Sequence, residues 1–575
     1  MIKNTLISNY LTQTLYCCFI FCSSYSQIPA FPGAEGFGAL ATGGRGGKVI
    51  YVTNLNVSGP GSLQAALNET GKRYILFKVS GIIQGTMEVG PGRGDYTLAG
   101  QTSPSGIIVR GFQSYNGDQK SSSNMIIRHL RSRIGDRIKY PTQNWLAEDG
   151  ITLGGVSNTI IDHCSFAHAI DEAVDISRSS GLTIQNCMLA ETLGGHADLG
   201  GMLINYSSPN AVLDSLSIHH NLWNRIGGRM PEISCETSFC NNKTIQIELS
   251  NNLFWDPRIE LWYEGTTTNN GSFYLKMNAV NNYTFAKPTF GNAMFHYDML
   301  TFNQNQLYFS GNQMNLYPLY KDYQLFYCCN DFPTSHPNVQ LGVAQKSTVR
   351  YNFPNIQYHN TSELRNYMVK NVGAFPRDIM DKRLLETINS GIIDNKSQNV
   401  DHYGDTFIST GAELPPLDTD GDGMPDYWET SFGLNTSVQD HNQTQLSTLI
   451  TGIAGYTNLE CYLNCMSDAL VDGASSSACK IKLGNLTSTD YIASEEKGLL
   501  LAPNPVLGNL DIRIEGDLVM SRIIISDASG KCIFDQNTNN TKISLSTHTW
   551  GNGFYVVQCF DSQGKVHTAK FLVSK

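Results

Sequence analysis

Acidic side chains and one arginine recur between residues 149 and 229 in a pattern that could bind a cation and an acidic sugar together. Asp149 is followed by the run Asp171-Glu172-Ala173-Val174-Asp175, and Arg229 comes further along the chain. Carboxylate oxygens are the ligands that Ca²⁺ prefers. A guanidinium supplies the counter-charge that a sugar carboxylate needs. The pattern therefore predicts calcium-assisted chemistry on a uronate polymer.

A second acidic cluster lies in the loop 418–429 and has the spacing of an EF-hand calcium loop. Gly423 occupies the sharp-turn position, and the loop leads into a predicted helix. Carboxylates this crowded would repel one another without a divalent ion. Because no nucleophile or base lies nearby in sequence, the loop predicts a structural Ca²⁺ site. Its predicted ligands are the carbonyl of Met424 and the side chains of Asp418, Asp420, Asp422, Asp426 and Glu429.

The elements that must position these acids form a repeat of an apolar residue, any residue, His or Asn, and then usually Cys or Asn. Its third positions fall at residues 163, 186, 220, 251 and 282, in steps of 23, 34, 31 and 31. Periods of this size indicate a solenoid. Short β-branched strands between Gly and Asn turns, without a helical period, predict an all-β, right-handed parallel β-helix. Asn side chains at matching turns are expected to stack into a structural ladder.

Composition divides the chain into five parts. Residues 1–26 read as a signal peptide, with Lys3 before an apolar run; a lipoprotein cut at Cys22 is the alternative. Residues 27–415 are predicted to be the β-helix with a closing segment, and 416–466 the calcium-loop segment. The Ser/Ala/Gly/Thr-rich stretch 467–498 reads as a linker. Alternating apolar residues predict a small β-sandwich over 499–575.

Charge and cysteine content limit the class of protein. Fifty acidic residues against forty basic ones give a net charge of −10, which argues against nucleic-acid binding and favours a soluble secreted monomer. Eleven of the fourteen cysteines follow the predicted signal, so at least one thiol is expected to stay free. Cys235/Cys240 and Cys461/Cys465 are close enough for local bridges. Cys164 and Cys187 occupy equivalent positions on two repeats. They are expected to be either stacked buried thiols or a disulfide.

The chain resembles the secreted pectate lyases of polysaccharide lyase family one over about residues 30–375. The acidic and arginine elements described above continue that resemblance in the expected order. The acidic loop resembles the tail of many Bacteroidetes members, and residues 499–575 resemble a type IX secretion sorting domain. The N-terminal motifs that carry the resemblance are Phe31–Gly38, Thr42–Gly47, Gly59–Leu63 and Val79–Gly81, and the C-terminal ones are Pro503–Pro505, Gly530–Lys531 and Gly551–Tyr555.

The resemblance implies calcium-dependent β-elimination of pectate, an acidic plant cell-wall polysaccharide, to unsaturated oligogalacturonides. By register it implies Asp149, Asp171 and Asp175 as calcium ligands, with Glu172 as an additional carboxylate, and Arg229 as the catalytic arginine. It also implies passage through the periplasm of a Gram-negative Bacteroidetes host and export by the type IX secretion machinery to the cell surface or outside.

Two positively charged residues of the family, a lysine and an arginine, have no counterpart in this chain. Leu193 falls near the place of the family's substrate-binding lysine, and Ser234 stands where a second arginine is expected. Arg131 and Arg133, two apart on a predicted strand, would face the same side and are candidate replacements for substrate binding. A surface role is the alternative.

The altered subsites leave other functions open. One is a lyase or hydrolase acting on another acidic glycan, and another is a catalytically weak pectin-binding surface protein. Outside the acidic clusters we expect structural roles: Asp162-His163 should brace a turn, and His219-His220 should stack in the solenoid wall.

Overall fold

The computed structural model describes residues 27–114, 122–135, 149–192, 200–327, 346–393, 414–473, 499–502, 506–514, 518–527, 531–563 and 565–573. The predicted signal peptide, Leu193 and residues 474–498 of the predicted linker lie outside them. Within these ranges six helices occur, at Leu63–Asn68 (α1), Leu364–Asn371 (α2), Ile379–Ser390 (α3), Asp426–Phe432 (α4), Ser447–Thr451 (α5) and Asn458–Val471 (α6). Short 3₁₀ turns lie at Gly100–Thr102, Ser238–Cys240, Thr268–Asn270, Tyr297–Leu300 and Asp322–Leu325.

Three parallel sheets wind around one apolar core, which confirms the predicted parallel β-helix. In the described residues, sheet A has ten strands: Lys48–Val52, Arg73–Phe77, Tyr96–Ala99, Met125–Arg128, Ser157–Asp162, Ser180–Gln185, Asp214–His219, Thr244–Ser250, Tyr274–Val280 and Gln306–Ser310. Sheet B has nine there: Gly81–Ile82, Ile107–Val109, Arg131–Arg133, Ser165–Ala167, Met188–Ala190, Leu222–Asn224, Leu253–Trp255, Tyr283–Phe285 and Gln313–Met314. Sheet C has seven there: Met87–Glu88, Phe112–Ser114, Ile151–Gly154, Val174–Ser177, Met202–Asn205, Glu232–Ile233 and Trp262–Tyr263. A two-stranded sheet pairs Phe295–His296 with Phe326–Tyr327.

The turn from sheet A to sheet B explains the sequence repeat. Its third position is left-handed, for example at His163 (φ 51°) and Asn251 (φ 50°), where the chain must reverse direction. In the last repeat Asn281 (φ 51°), not Asn282, takes this position. The fourth position carries the predicted ladder, in which each backbone N–H donates to the next Asn side chain. Its members are Asn221, Asn252, Asn282 and Asn312.

The described cysteines comprise one local bridge, several free thiols and one further disulfide-bonded residue, Cys465. Cys235 and Cys240 form the predicted bridge. Cys164 and Cys187 are buried and free, and they extend the Asn ladder as stacked thiols. Cys461 is also free whereas Cys465 is disulfide-bonded, so these two do not pair with each other.

Two helical segments cover the outside of the solenoid. Helices α2 and α3 pack their buried side chains on the outer face of sheet B, against residues such as Trp255. Helices α4 to α6 pack on the outer face of sheet A, against Tyr74 and Leu76. Helix α6 continues to Val471, so the first residues of the predicted linker 467–498 are helical. The acidic loop is therefore built against the wall of the solenoid.

The C-terminal part has its own apolar core. It contains a three-stranded and a four-stranded antiparallel sheet, as a small β-sandwich would. The strands are Leu499–Ala502, Asn509–Ile514, Met520–Asp527, Cys532–Asn540, Lys542–Ser546, Gly553–Asp561 and Val566–Val573. Among the helices of the described ranges, none is long and apolar enough to cross a membrane.

Candidate active site

Sheet C presents one row of side chains on the outside of the solenoid. Its strands are paired in register, so Thr152, Asp175, Leu203 and Glu232 occupy equivalent positions on successive turns. Side chains alternate along each strand, and the neighbours of Asp175, Val174 and Ile176, point into the core. Asp175 therefore faces outward, in the middle of the row.

Three carboxylates meet beside this row. One oxygen from each of Asp149, Glu172 and Asp175 lies within 4.8 Å of the others. Asp149 precedes its strand and is fixed by two hydrogen bonds: its Oδ2 accepts from the Thr152 hydroxyl (2.8 Å), and its Oδ1 accepts from the Glu172 N–H (3.2 Å). These two hydrogen bonds therefore fix the position of Asp149 within the triad.

The electrostatics of the triad favour a bound cation. Burial, together with the nearby charges of Asp149 and Asp171, raises the pKa of Asp175 to about 8. Buried oxygens of Asp175 and Asp171 have no hydrogen-bond partner. Carboxylates held close together, with unsatisfied oxygens, match the all-oxygen ligand set of a hard divalent ion. The residues present therefore fit Ca²⁺.

Arg229 lies over the same acids. Its Nη1 contacts Glu172 and lies 3.5 Å from Asp171 Oδ1, while its Nε donates to Glu232 Oε2 at 3.2 Å. The residue is left-handed (φ 49°), and 14% of its side chain remains exposed. A guanidinium held by three carboxylates at the edge of a cation site can reach a sugar bound there.

The predicted ligand set changes in one respect. Asp149 and Asp175 come together as predicted, but the third oxygen within 4.8 Å belongs to Glu172. Asp171 lies beside Arg229 and close enough to raise the pKa of Asp175. Ser234 is buried and contacts Glu232, so the position of the second arginine holds a small polar side chain.

The interpretation of Arg131 and Arg133 as substrate-binding residues is wrong. Both are fully buried on the outer face of sheet B, under helix α3. Arg131 pairs with Asp381 at 3.0 Å, and Arg133 pairs with Asp381 at 2.7 Å and with Asp378 at 2.6 Å. Both side chains face the same side of the sheet, as the two-residue strand period requires, but helix α3 covers that side. Their role is to fasten the closing helix to the solenoid.

The acidic loop brings two overlapping groups of carboxylates together. One consists of Asp418, Asp420 and Asp422, and the other of Asp422, Glu429 and Asp440, each within 4.8 Å. Glu429 is fully buried and neither of its oxygens has a hydrogen-bond partner. Burial and the neighbouring acids raise the pKa of Glu429 to about 8 and that of Asp420 to about 6.

Two ligands of the loop differ from the EF-hand expectation. Asp426 accepts hydrogen bonds from the N–H and hydroxyl of Thr419 (2.8 and 2.6 Å), so both of its oxygens are engaged at the helix start. Asp440, which follows helix α4, joins Asp422 and Glu429 instead. The EF-hand spacing ends at Glu429, so this spacing gave no signal for Asp440. Tyr51 of sheet A donates to Asp418, which ties the loop to the solenoid.

A parallel β-helix with an outward carboxylate triad and an arginine beside it is the arrangement that the sequence resemblance implies for a polysaccharide lyase. Comparison of sequences agrees. The probable pectate lyase C of Emericella nidulans is 30% identical over 458 residues, which is 79% of this chain and 96% of that protein. Its counterpart from Aspergillus terreus is 31% identical over 457 residues, covering 77% of this chain and 95% of that one. The chain belongs to the pectate lyase family and is a polysaccharide lyase.

Solved structures and a domain model complete the comparison. The cedar pollen allergen jun a 1 matches 59% of this chain and 92% of its own, with 16% identity and a TM-score of 0.34. Pectate lyase C of Erwinia chrysanthemi, solved with Ca²⁺, matches 59% and 96%, with 12% identity and a TM-score of 0.34. Residues 501–574 match the secretion system C-terminal sorting domain. The protein is therefore exported to the cell surface or beyond it.

Proposed function

We propose that this lyase cleaves pectate (polygalacturonate) by calcium-dependent β-elimination and releases unsaturated oligogalacturonides. The observation that carries the proposal is the contact of Arg229 with the acidic cluster formed by Asp149, Glu172 and Asp175. The names of the relatives support the substrate class. The buried Ser234 in place of a second arginine keeps a related acidic pectic glycan as the second candidate substrate.

The difficult step is removal of the C5 proton of a uronate, because the resulting carbanion must be stabilised. Asp149, Glu172 and Asp175 would hold a calcium ion, whose positive charge would help to stabilise that carbanion. Asp171 lies next to the triad and close to Arg229, so it can join either group. The fixed position of Asp149 orients the site before substrate arrives.

Arg229 is the base in this proposal. An arginine at neutral pH normally keeps its proton, because its pKa exceeds about 12. Its Nη1 contacts Glu172 and lies 3.5 Å from Asp171 Oδ1, which places the guanidinium beside the cation site. In the proposed step the unprotonated form of Arg229 accepts the C5 proton as the C4–O bond breaks, and the leaving C4 oxygen takes a proton from water.

The acidic loop holds a second calcium ion in this proposal, with a structural role. Asp418, Asp420, Asp422 and Glu429 provide side-chain ligands, and Asp440 adds one that the sequence pattern does not contain. The loop packs on sheet A, whereas the catalytic row belongs to sheet C. We propose that the chain acts as a monomer and that the type IX machinery exports it by means of the sorting domain.

The experiment is an absorbance assay on the purified full-length chain. Polygalacturonate with Ca²⁺ should give rising ultraviolet absorbance from the new double bond, and a chelator should abolish the rise. Esterified pectin and rhamnogalacturonan identify the substrate, and Asp175→Asn is the inactive control. No rise on any of the three polymers would refute the lyase activity and leave a pectin-binding protein.

The same assay tests how protonation limits calcium binding. Because the pKa of Asp175 is about 8, this carboxyl carries a proton below that pH, and calcium must displace it. The calcium concentration needed for half-maximal activity should therefore fall by up to about tenfold per unit as the pH rises towards 8, and then level off. A requirement that does not change between pH 6 and pH 8, about two units below and at this pKa, would contradict the assignment.

A further inference from the structure

A cavity of about 430 Å³ lies on the opposite side of the solenoid from the catalytic row. It is lined by the turn between sheets A and B, by the N-terminal segment around Gly33 and by the segment around His359. Helices α2 and α6 also line it. Four histidines line it: His163, His219, His220 and His359. None of the side chains proposed for catalysis reaches this cavity, so its histidines need a separate explanation.

Three of the lining side chains converge. One ligand atom from each of Glu35, His219 and His220 lies within 4.8 Å of the others. The Nδ1 atoms of the two histidines are 2.8 Å apart, and their rings stand edge to face. Two imidazoles and one carboxylate are a ligand set that zinc uses when it keeps a fourth position open.

The local backbone makes this convergence possible. Consecutive side chains on a strand point to opposite faces, so adjacent histidines would normally separate. His219 ends its strand, and His220 adopts the left-handed turn conformation (φ 56°) that every repeat uses here. The turn redirects the second ring towards the first. Glu35 is held over both because its N–H donates to Gln185 and its carbonyl accepts from Thr183.

Both histidines have nitrogen atoms without a hydrogen-bond partner. His219 is 1% exposed and His220 is 3% exposed, and the Nε2 of each is unsatisfied. Their Nδ1 atoms hydrogen-bond to each other, and a backbone hydrogen bond with Glu35 acts on His219. An unsatisfied buried polar atom destabilises the fold.

Burial favours the form of these histidines that binds metal. It lowers the pKa of His219 to about 3 and that of His220 well below its usual range, so both rings are neutral. Neutral imidazole is the metal-binding form. The Glu35 carboxylate accepts from the Gln357 N–H at 3.1 Å and keeps lone pairs for a further partner.

We infer that Glu35, His219 and His220 form a binding site for a zinc-class transition-metal ion, with its remaining position open to the cavity. Its ligand set contains two nitrogen atoms and so differs from two all-oxygen clusters, which suit calcium. These are the triad beside the sheet C row, called here the catalytic groove, and the acidic loop. The site fastens the N-terminal segment to the turn of sheet A. It also presents a Lewis-acidic ion to any small ligand that enters the cavity.

The test measures zinc binding by the full-length chain without an affinity tag, in excess calcium so that the acidic sites are filled. Zinc is titrated, and bound metal is counted after gel filtration. One zinc per chain is expected. Glu35→Gln and His220→Gln should each weaken binding by at least about tenfold, since even residues that only orient metal ligands cost that much. His548→Ala, which removes an exposed histidine, should leave binding unchanged.

Glu35→Gln keeps a side chain that accepts from Gln357 and lies at a partly exposed position, so the variant should fold. Its melting temperature without zinc should equal that of the parent. The parent alone should gain stability when zinc is added. Equal zinc affinity in the parent and both site variants would overturn the inference, as would the absence of stoichiometric zinc on the parent.

Discussion

The catalytic groove and the acidic loop each gather carboxylates around one point, but only the groove includes a cation of the protein. In both places burial, together with the charges of neighbouring acids, raises a pKa to about 8, that of Asp175 in the groove and that of Glu429 in the loop. Arg229 contacts the groove acids. Within the described residues, the loop acids have no arginine or lysine partner, and His441 lies 3.8 Å from Asp422.

The difference indicates what each cluster is for. In the groove, Glu172 belongs to the carboxylate triad and also contacts Arg229, so it connects the proposed cation site to the proposed base. In the loop, the carboxylates surround a position that only an external cation can neutralise. A cluster with an arginine beside it suits the proposed chemistry, and a cluster without one suits the proposed structural ion, which would hold a helix on the solenoid.

The largest effect is expected when the arginine is changed. Arg229→Lys keeps the charge but loses the planar fork and its reach, so turnover should fall by ~10² to 10⁴ while calcium binding persists. Arg258→Lys, at an exposed position, is the matched control. Steady-state kinetics on polygalacturonate decide the result. A raised KM with nearly normal kcat would make Arg229 a binding residue and leave the base unassigned.

Removal of a buried ion-pair partner should destabilise the chain without touching the groove. Asp381→Ala leaves Arg131 and Arg133 short of one carboxylate in a fully buried place, at a cost of about 3–5 kcal/mol. Denaturant unfolding measures this loss, with Glu386→Ala on the exposed face of the same helix as the control. The KM of the folded variant should equal that of the parent. A specific rise in KM would restore these arginines as substrate-binding residues.

A smaller effect should separate Asp440 from Asp426. Asp440→Asn removes a carboxylate from the loop cluster and should reduce the stabilisation gained from calcium, which is about 2.7 kcal/mol at a hundredfold excess over Kd. Asp426→Asn keeps an oxygen that can accept from Thr419 and should retain most of that gain. Melting temperatures with and without calcium compare the two variants. If Asp426→Asn lost more than Asp440→Asn, the EF-hand spacing would be the better description.

The sequence predicted the features that depend on short-range periodicity. The repeat predicted the β-helix and the Asn ladder, because each turn imposes its own local pattern. Asp149 and Asp175 came together since strand register carries them onto adjacent turns. The same register, extended one turn position back from the strand, places Glu172 opposite Asp149, and the Glu172 N–H donates to the Asp149 carboxylate.

The errors concern contacts between distant segments. Arg131 and Arg133 were misread because their partners lie about 250 positions away, on a helix whose docking face the strand pattern cannot reveal. Asp440 was missed because it follows helix α4 and returns to the loop only when that helix packs on sheet A. A strand period gives the direction of a side chain, and tertiary packing decides what covers it.

The contrast between the two clusters is the central claim, and one paired measurement tests it most directly. Asp175→Asn and Glu429→Gln each remove one charge from one cluster, and turnover and melting temperature are measured together in saturating calcium. Asp175→Asn should lose turnover and keep its melting temperature. Glu429→Gln should lose several degrees and keep its turnover at assay temperature. Loss of turnover in folded Glu429→Gln, with Asp175→Asn fully active, would contradict the account.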